Sequence, residues 1–221
     1  MAAPPDAPAP APQRAPILGA LAIVLIASLS AIGLSLLDRI TAARIQPNAQ
    51  EWIRVRLNAL VPPSLYNNDL LADTVTAHSP DLLGTSRPVT VYRARKGLKP
   101  VAAVLHTVAP DGYRGPIELL VAIAPDGKLI GVQVVRHRET PGLGDAFENR
   151  DADWLSKFTG RSLQDPPQQR WAVRPDGGEF DAFTGATITP RAIVKSVRRA
   201  LEFYRAKQKT LFTAPNGTEI R

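Results

Sequence analysis

The chain contains no cysteine. This removes disulfides, thiolate metal sites, iron–sulfur ligation and thiol catalysis together. It does not choose a compartment, because a cysteine-free chain is tolerated in either redox environment. Aromatic residues are scarce, at 6%, and none forms a platform among the basic residues. Nucleic-acid binding therefore has little support, despite a formal charge of +7 and a pI near 10.0. The basic balance leaves anionic lipid or an acidic protein partner. His78, His106 and His137 show no metal-ligand spacing. No Walker-type phosphate loop is present, and beyond the pair Glu139 and Asp145 nothing suggests hydrolysis by paired carboxylates.

What is present is enough for a real core. Hydrophobic residues make up 44% of 221 residues, which suits one ordinary domain plus extensions. The 21 prolines are unevenly spread, and six of them lie in residues 1–16, a Pro/Ala-rich tail expected to be disordered. Ile17 to Leu37 then runs for 21 residues without a charge. A helix of that length spans roughly 30 Å, the thickness of a bilayer core. A signal peptide would have a shorter apolar core, about 7–15 residues, followed by a small-residue cleavage site. A buried helix of a soluble domain would show a polar face, and here only Ser28, Ser30 and Ser35 are polar. The expectation is an uncleaved transmembrane helix over 17–37. Arg39, Arg44, Arg54 and Arg56 follow it and only Arg14 precedes it. A positive-inside count thus places the C-terminal part in the cytoplasm.

Residues 38–88 read as a helical connector and the start of a domain. Trp52, Val55, Leu57, Leu60 and Val61 recur at helical spacing up to Pro62-Pro63, and 65–88 shows no clear period. The domain proper is expected over 89–206. Val89–Arg93 and Val101–His106 are short strand-like runs, and Ile117–Ile123 and Leu129–Val135 flank Asp126-Gly127 as a hairpin. Trp154–Phe158 suggests a short helix, and the polar stretch 161–179 a loop, with Trp154 and Trp171 as core residues. Thr189 as cap and Pro190 at the first position would start a last helix. Ile193, Val194, Val197, Ala200, Leu201 and Tyr204 form its apolar stripe, with Arg191, Lys195, Arg198, Arg199 and Arg205 off it. Residues 207–221 read as a tail, whose Lys207 and Lys209 continue the basic face toward lipid headgroups or an acidic partner. The fold class is α+β: one transmembrane helix, then a mixed domain with antiparallel strands and a C-terminal amphipathic helix.

Two segments carry candidate chemistry. Asp181-Ala-Phe-Thr184-Gly185-Ala186-Thr187-Ile-Thr189 is a small-residue turn running into a helix N-terminus. Such an end presents unpaired N–H groups and a positive dipole, and so attracts phosphate. A capped loop without a ligand fits the same residues. His137-Arg138-Glu139-Thr140-Pro141-Gly142-Leu143-Gly144 leaves the second hairpin strand and is either a ligand contact or a structural turn. It lacks the third glycine and following helix of a dinucleotide fingerprint.

With Gly112-Tyr113, Gly115 and the hairpin around Gly127 and Gly131-Val132, these stretches resemble the covalent FMN-binding domain of the G subunit of Rnf electron-transport complexes. The C subunit of sodium-pumping NADH:quinone oxidoreductases carries a similar domain. The likeness covers roughly residues 15–206, with Thr184 where the family often has Ser. It implies FMN joined through a phosphoester to Thr187, installed from FAD by a flavin transferase that recognises Asp181 to Thr187. Thr184, Gly185, Ala186 and Thr189 would complete the phosphate end. Glu139, Thr140, Gly142, Leu143 and Gly144 would form the flavin loop, with Thr140 and Leu143 on the ring and His137 nearby. Thr187 would be an attachment point, and no catalytic residue is implied. The resemblance also implies a periplasmic flavin domain, against the arginine count. It implies membrane and peripheral partner subunits in an ion-translocating complex linked to ferredoxin and NAD. A flavin-free membrane scaffold and the sodium-pump C subunit are the rival readings.

Overall fold

The structure is a computed structural model that describes residues 14–148 and 153–221. Most of the expected N-terminal tail lies outside the described residues. A boundary between two compact units falls between Glu51 and Trp52.

The described residues of the first unit are helical. Helix α1 spans Arg14–Leu60, and Leu18–Leu37 within it is 20 residues long with mean hydropathy 2.5 and 0% burial. That segment is long and apolar enough to cross a membrane.

The second unit is a six-stranded mixed sheet. Its strands are β1 (Thr74–Ala77), β2 (Val89–Lys96), β3 (Lys99–Ala109), β4 (Ile117–Ile123), β5 (Leu129–Arg136) and β6 (Glu219–Ile220), with a short helix α2 at Pro80–Leu83. They are ordered β5-β4-β3-β2-β1-β6, antiparallel except where β6 lies parallel to β1. Helix α3 (Ile188–Thr213) follows. The fold class is therefore the expected α+β.

The β4–β5 hairpin turns where Asp126-Gly127 predicts. Gly127 has φ 83°, its N–H donates to the Ala124 carbonyl at 2.9 Å, and the Ala124 N–H meets the Lys128 carbonyl at 2.8 Å. β4 reads as an almost continuous apolar run because both its faces are covered. Leu119, Val121 and Ile123 join the cluster that contains α3, whereas Leu120 and Ala122 face Leu57, Leu60 and Val61 at the end of α1. Of the helical run before Pro62, Trp52 and Val55 stay 45% and 58% exposed. The whole predicted stripe of α3 is buried. Its β-branched residues cost up to about 0.7 kcal/mol each in helix propensity. Burial returns about 1.5–3 kcal/mol per large apolar side chain, so packing decides the conformation.

The structure differs from the sequence reading at several places. Residues 65–88 contain β1 and α2, α3 runs on to Thr213, and β6 lies in the expected tail. Helix α3 begins at Ile188 with Thr187 as its N-cap residue, so Thr189 is not the cap and Pro190 is not its first residue. Thr189 is fully buried and its hydroxyl donates to Glu139 instead. Two expectations hold nearby: Trp154–Phe158 is a short helix, of 3-10 type, and 161–179 is largely irregular, with single 3-10 turns at Gln168–Arg170 and Arg174–Asp176. Trp154 and Trp171 are core residues, as expected.

Candidate functional site

Two loops meet at the start of α3. The first follows β5. Its backbone folds back on itself, with the Leu143 and Gly144 N–H groups both donating to the Thr140 carbonyl, at 3.1 and 3.0 Å. The Gly142 N–H donates to the Asp145 carboxylate at 2.7 Å. The second loop is a tight turn in which the Ala186 N–H donates to the Phe183 carbonyl at 3.1 Å. Its third residue, Gly185, has φ 79°, a conformation that glycine adopts without steric cost.

Glu139 ties the loops together. It is 4% exposed. One carboxylate oxygen accepts the Arg114 N–H at 3.0 Å, and the other accepts the Thr189 hydroxyl. Gly144 lies against this pair, and a Cβ there would come within 2.9 Å of Glu139 Oε2 and 3.2 Å of Thr189 Oγ1. Below the turn, Phe183 packs edge-on to Trp154, with ring centroids 5.0 Å apart, and Trp154 and Phe158 continue into Phe180 and Trp171. This aromatic floor holds the turn at a fixed height.

Between the loops is a cavity of about 340 Å³ lined by Tyr113, Glu139, Thr140, Leu143, Gly144, Gly185, Ala186, Thr187, Ile188 and Thr189. That volume is within the range of small-molecule sites, about 300–1,000 Å³. Its rim is apolar and open: Tyr113, Leu143 and Ile188 are 66%, 48% and 45% exposed. Eight of the eleven residues expected from the sequence thus line one cavity. Gly142 shapes its loop without lining it, and Thr184 is exposed outside it. Asp181 lies behind the turn, paired through its carboxylate with Lys157 and, at 3.1 Å, with Arg174, while its carbonyl accepts the Trp154 indole N–H at 2.9 Å. The hydrogen bond from Lys157, aided by the charge of Arg174, holds the Asp181 carboxyl below its usual range.

The Thr187 hydroxyl makes no capping hydrogen bond. Arg191 Nη1 lies 3.3 Å from it, and the same guanidinium forms a two-point pair with Asp176, at 2.6 and 2.7 Å. Sequence reading placed Arg191 only on a basic helix face and did not single out Tyr113 or Ile188 as wall residues. Spacing one turn beyond Thr187 was the available signal for Arg191. His137 does not line the cavity; it pairs with Glu148 at 2.8 Å. Among the described residues no cluster of His, Cys, Asp and Glu could hold a metal ion.

The donor set suits an esterified or bound phosphate beside a flat apolar group. A helix N-terminus and an arginine serve the anion, and Gly185 leaves room along the turn. Comparison with known proteins agrees. Residues 112–202 match the FMN-binding domain family. The chain is 39% identical to the G subunit of the ion-translocating oxidoreductase complex of Shewanella loihica, over 95% of this chain and 99% of that one. The corresponding G subunits from Vibrio cholerae and Pseudomonas aeruginosa are 41% and 42% identical, over 90% and 91% of this chain and 95% and 94% of theirs.

Proposed function

The chain belongs to the G-subunit family of ion-translocating oxidoreductase complexes, and from that premise we propose that it relays electrons through FMN held covalently on Thr187. The observation that carries the covalent reading is the placement of the Thr187 hydroxyl. It lies in the cavity wall, at the positive end of α3, and is not spent on capping. FMN supplies one- and two-electron chemistry when bound. The protein's own residues hold and shield it. Tyr113, Leu143 and Ile188 offer apolar contact to the ring, and Glu139 with Thr189 fixes the distance between the two loops. Loss of a cofactor bound without a covalent bond is costly where little free FMN is available to replace it. A phosphoester removes that loss.

Attachment would use FAD and a flavin transferase. The Thr187 oxygen bonds to the phosphorus bearing riboflavin, the bond from that phosphorus to AMP breaks, and AMP and a proton leave. Asp181, fixed by Lys157 and Arg174 at the edge of the turn, is the recognition handle for that enzyme. The unit from Trp52 onward would face the periplasm, with Leu18–Leu37 as anchor in the inner membrane lipid. Donor and acceptor would be other subunits of a ferredoxin- and NAD-linked complex. The G-subunit names of the relatives support this above the sodium-pump C subunit.

Intact-mass measurement of the full chain, expressed with a flavin transferase, tests the attachment. The expected result is an FMN increment on the peptide containing Thr187, absent from Thr187→Val while that variant remains folded. Flavin fluorescence persisting with Thr187→Val on a denaturing gel would overturn it.

A further inference from the structure

Helix α3 begins in a way that costs stability unless an anion joins it. Its first turn contains no acidic residue, and the Thr187 hydroxyl accepts no capping hydrogen bond from a backbone N–H. The nearest charged group on the helix is Arg191, a cation close to the positive end of the dipole, where cations are disfavoured. An exposed Arg–Asp pair contributes little by itself. Arg191 is 44% and Asp176 39% exposed, so stability does not explain the arrangement.

The geometry supplies another reason. Asp176 engages Arg191 through Nε and Nη2, the side-on mode that locks a guanidinium in plane. Nη1 is left free of the carboxylate and points to the Thr187 oxygen at 3.3 Å. Asp176 comes from the 3-10 turn Arg174–Asp176, an element separate from the helix. The arginine is thereby preorganised from two sides toward one hydroxyl. Among the described residues it is the only side chain that hydrogen-bonds Thr187 Oγ1.

We infer that Arg191, bracketed by Asp176, is the positioning residue of the Thr187 attachment site: it holds the hydroxyl toward the incoming phosphorus and then neutralises the phosphodiester formed there. This rests on the FMN attachment proposed above. The phosphodiester carries one negative charge, which Arg191 Nη1 and the unpaired N–H groups of the first turn of α3 meet together. Asp176 offsets the arginine's charge before the phosphate arrives and fixes its plane afterwards. A lysine could supply charge but not the fixed plane, because it binds as a point charge on a flexible stem.

The test uses the full-length chain co-expressed with flavin transferase. It follows FMN loading by intact mass at limiting transferase, and the attached phosphate by phosphorus NMR. Arg191→Gln is expected to load about tenfold more slowly or worse, the loss of one charge-assisted hydrogen bond. Arg191→Lys should recover part of that rate, with a phosphorus resonance displaced from wild type. Asp176→Asn should slow loading less than Arg191→Gln. All three should melt close to wild type, since the pair is exposed. The inference is overturned if Arg191→Gln loads at the wild-type rate, or if Arg191→Lys gives the wild-type phosphorus resonance. A wild-type chain without FMN on Thr187 would instead overturn the attachment reading, and this inference with it.

Discussion

Glycine 144 is the residue on which the two loops depend most tightly. Its missing Cβ leaves room for Glu139, whose own Cβ would be 3.1 Å from an added methyl group. Neither the buried carboxylate nor the Thr189 hydroxyl bonded to it can retreat without breaking that bond. Gly144→Ala should therefore cost about 1–3 kcal/mol, the usual penalty of overpacking. Thermal melting should show the loss, and flavin loading should fall with it. Asp181 is predicted to respond to acid. Its carboxyl pKa is lowered from 3.8 by the hydrogen bond from Lys157 and then by the charge of Arg174. A lowered folded pKa means that its contribution is fully present above 3.8 and is lost as the pH falls through the lower folded value. Carboxyl titration by NMR should give a midpoint below 3.8; a midpoint at or above 3.8 would contradict the ion pairs seen here.

At the scale of elements, the end of α3 is fastened to the sheet by a buried arginine. Arg93 of β2 is 2% exposed, and its guanidinium pairs with Asp73 and Asn216. It also donates to the Leu211 and Ala214 carbonyls, at 3.0 and 2.6 Å. Those carbonyls lie at the helix C-terminus, where the last turn lacks acceptor partners and carries partial negative charge. Asp73 also receives Arg95 at 2.8 Å, and Asn216 donates to the Ala72 carbonyl at 3.1 Å. The network thus joins the segment leading into β1, strand β2 and the segment between α3 and β6. Asp73→Ala leaves two cations without their shared carboxylate and should destabilise the unit by about 3 kcal/mol, the lower end of the cost of breaking a buried pair. The midpoint of denaturant unfolding measures this. A change as small as that of an exposed pair, about 1 kcal/mol or less, would mean that solvent reaches the network.

On the scale of the whole molecule, the unit from Trp52 to Arg221 contains the sheet, the core and the cavity. Its two hydrophobic clusters are completed by its own residues. A chain beginning at residue 52 should therefore fold in solution with a single cooperative unfolding transition. Membrane retention of the intact chain would depend on Leu18–Leu37, a 20-residue apolar run whose residues are exposed among the described residues. The proposed periplasmic orientation predicts that protease added outside intact spheroplasts cleaves the C-terminal unit. Protection would favour the cytoplasmic side, as the arginines following the apolar run suggest.

Local pattern determined the apolar run of α1, the β4–β5 hairpin and the buried stripe of α3. Each is set by a period or a turn within a short stretch of chain. The meeting of the Glu139–Gly144 and Asp181–Thr189 segments was legible too, but through likeness to a family rather than from spacing. Tertiary structure alone decided the rest. β1 has four residues and β6 two, too short for a periodic signal, and they become strands because β2 offers an edge to β1 and β1 in turn offers one to β6, with Arg93 holding the chain on either side of them. Thr189 has the local marks of a cap, yet a buried carboxylate 50 residues away takes its hydroxyl and leaves the cap position to Thr187. Arg191 looks like any solvated helix cation until Asp176, 15 residues earlier, turns it toward that threonine. Periodicity records which face of an element is buried; it does not record which distant polar group will satisfy a hydroxyl or aim a guanidinium, and those partners make the site.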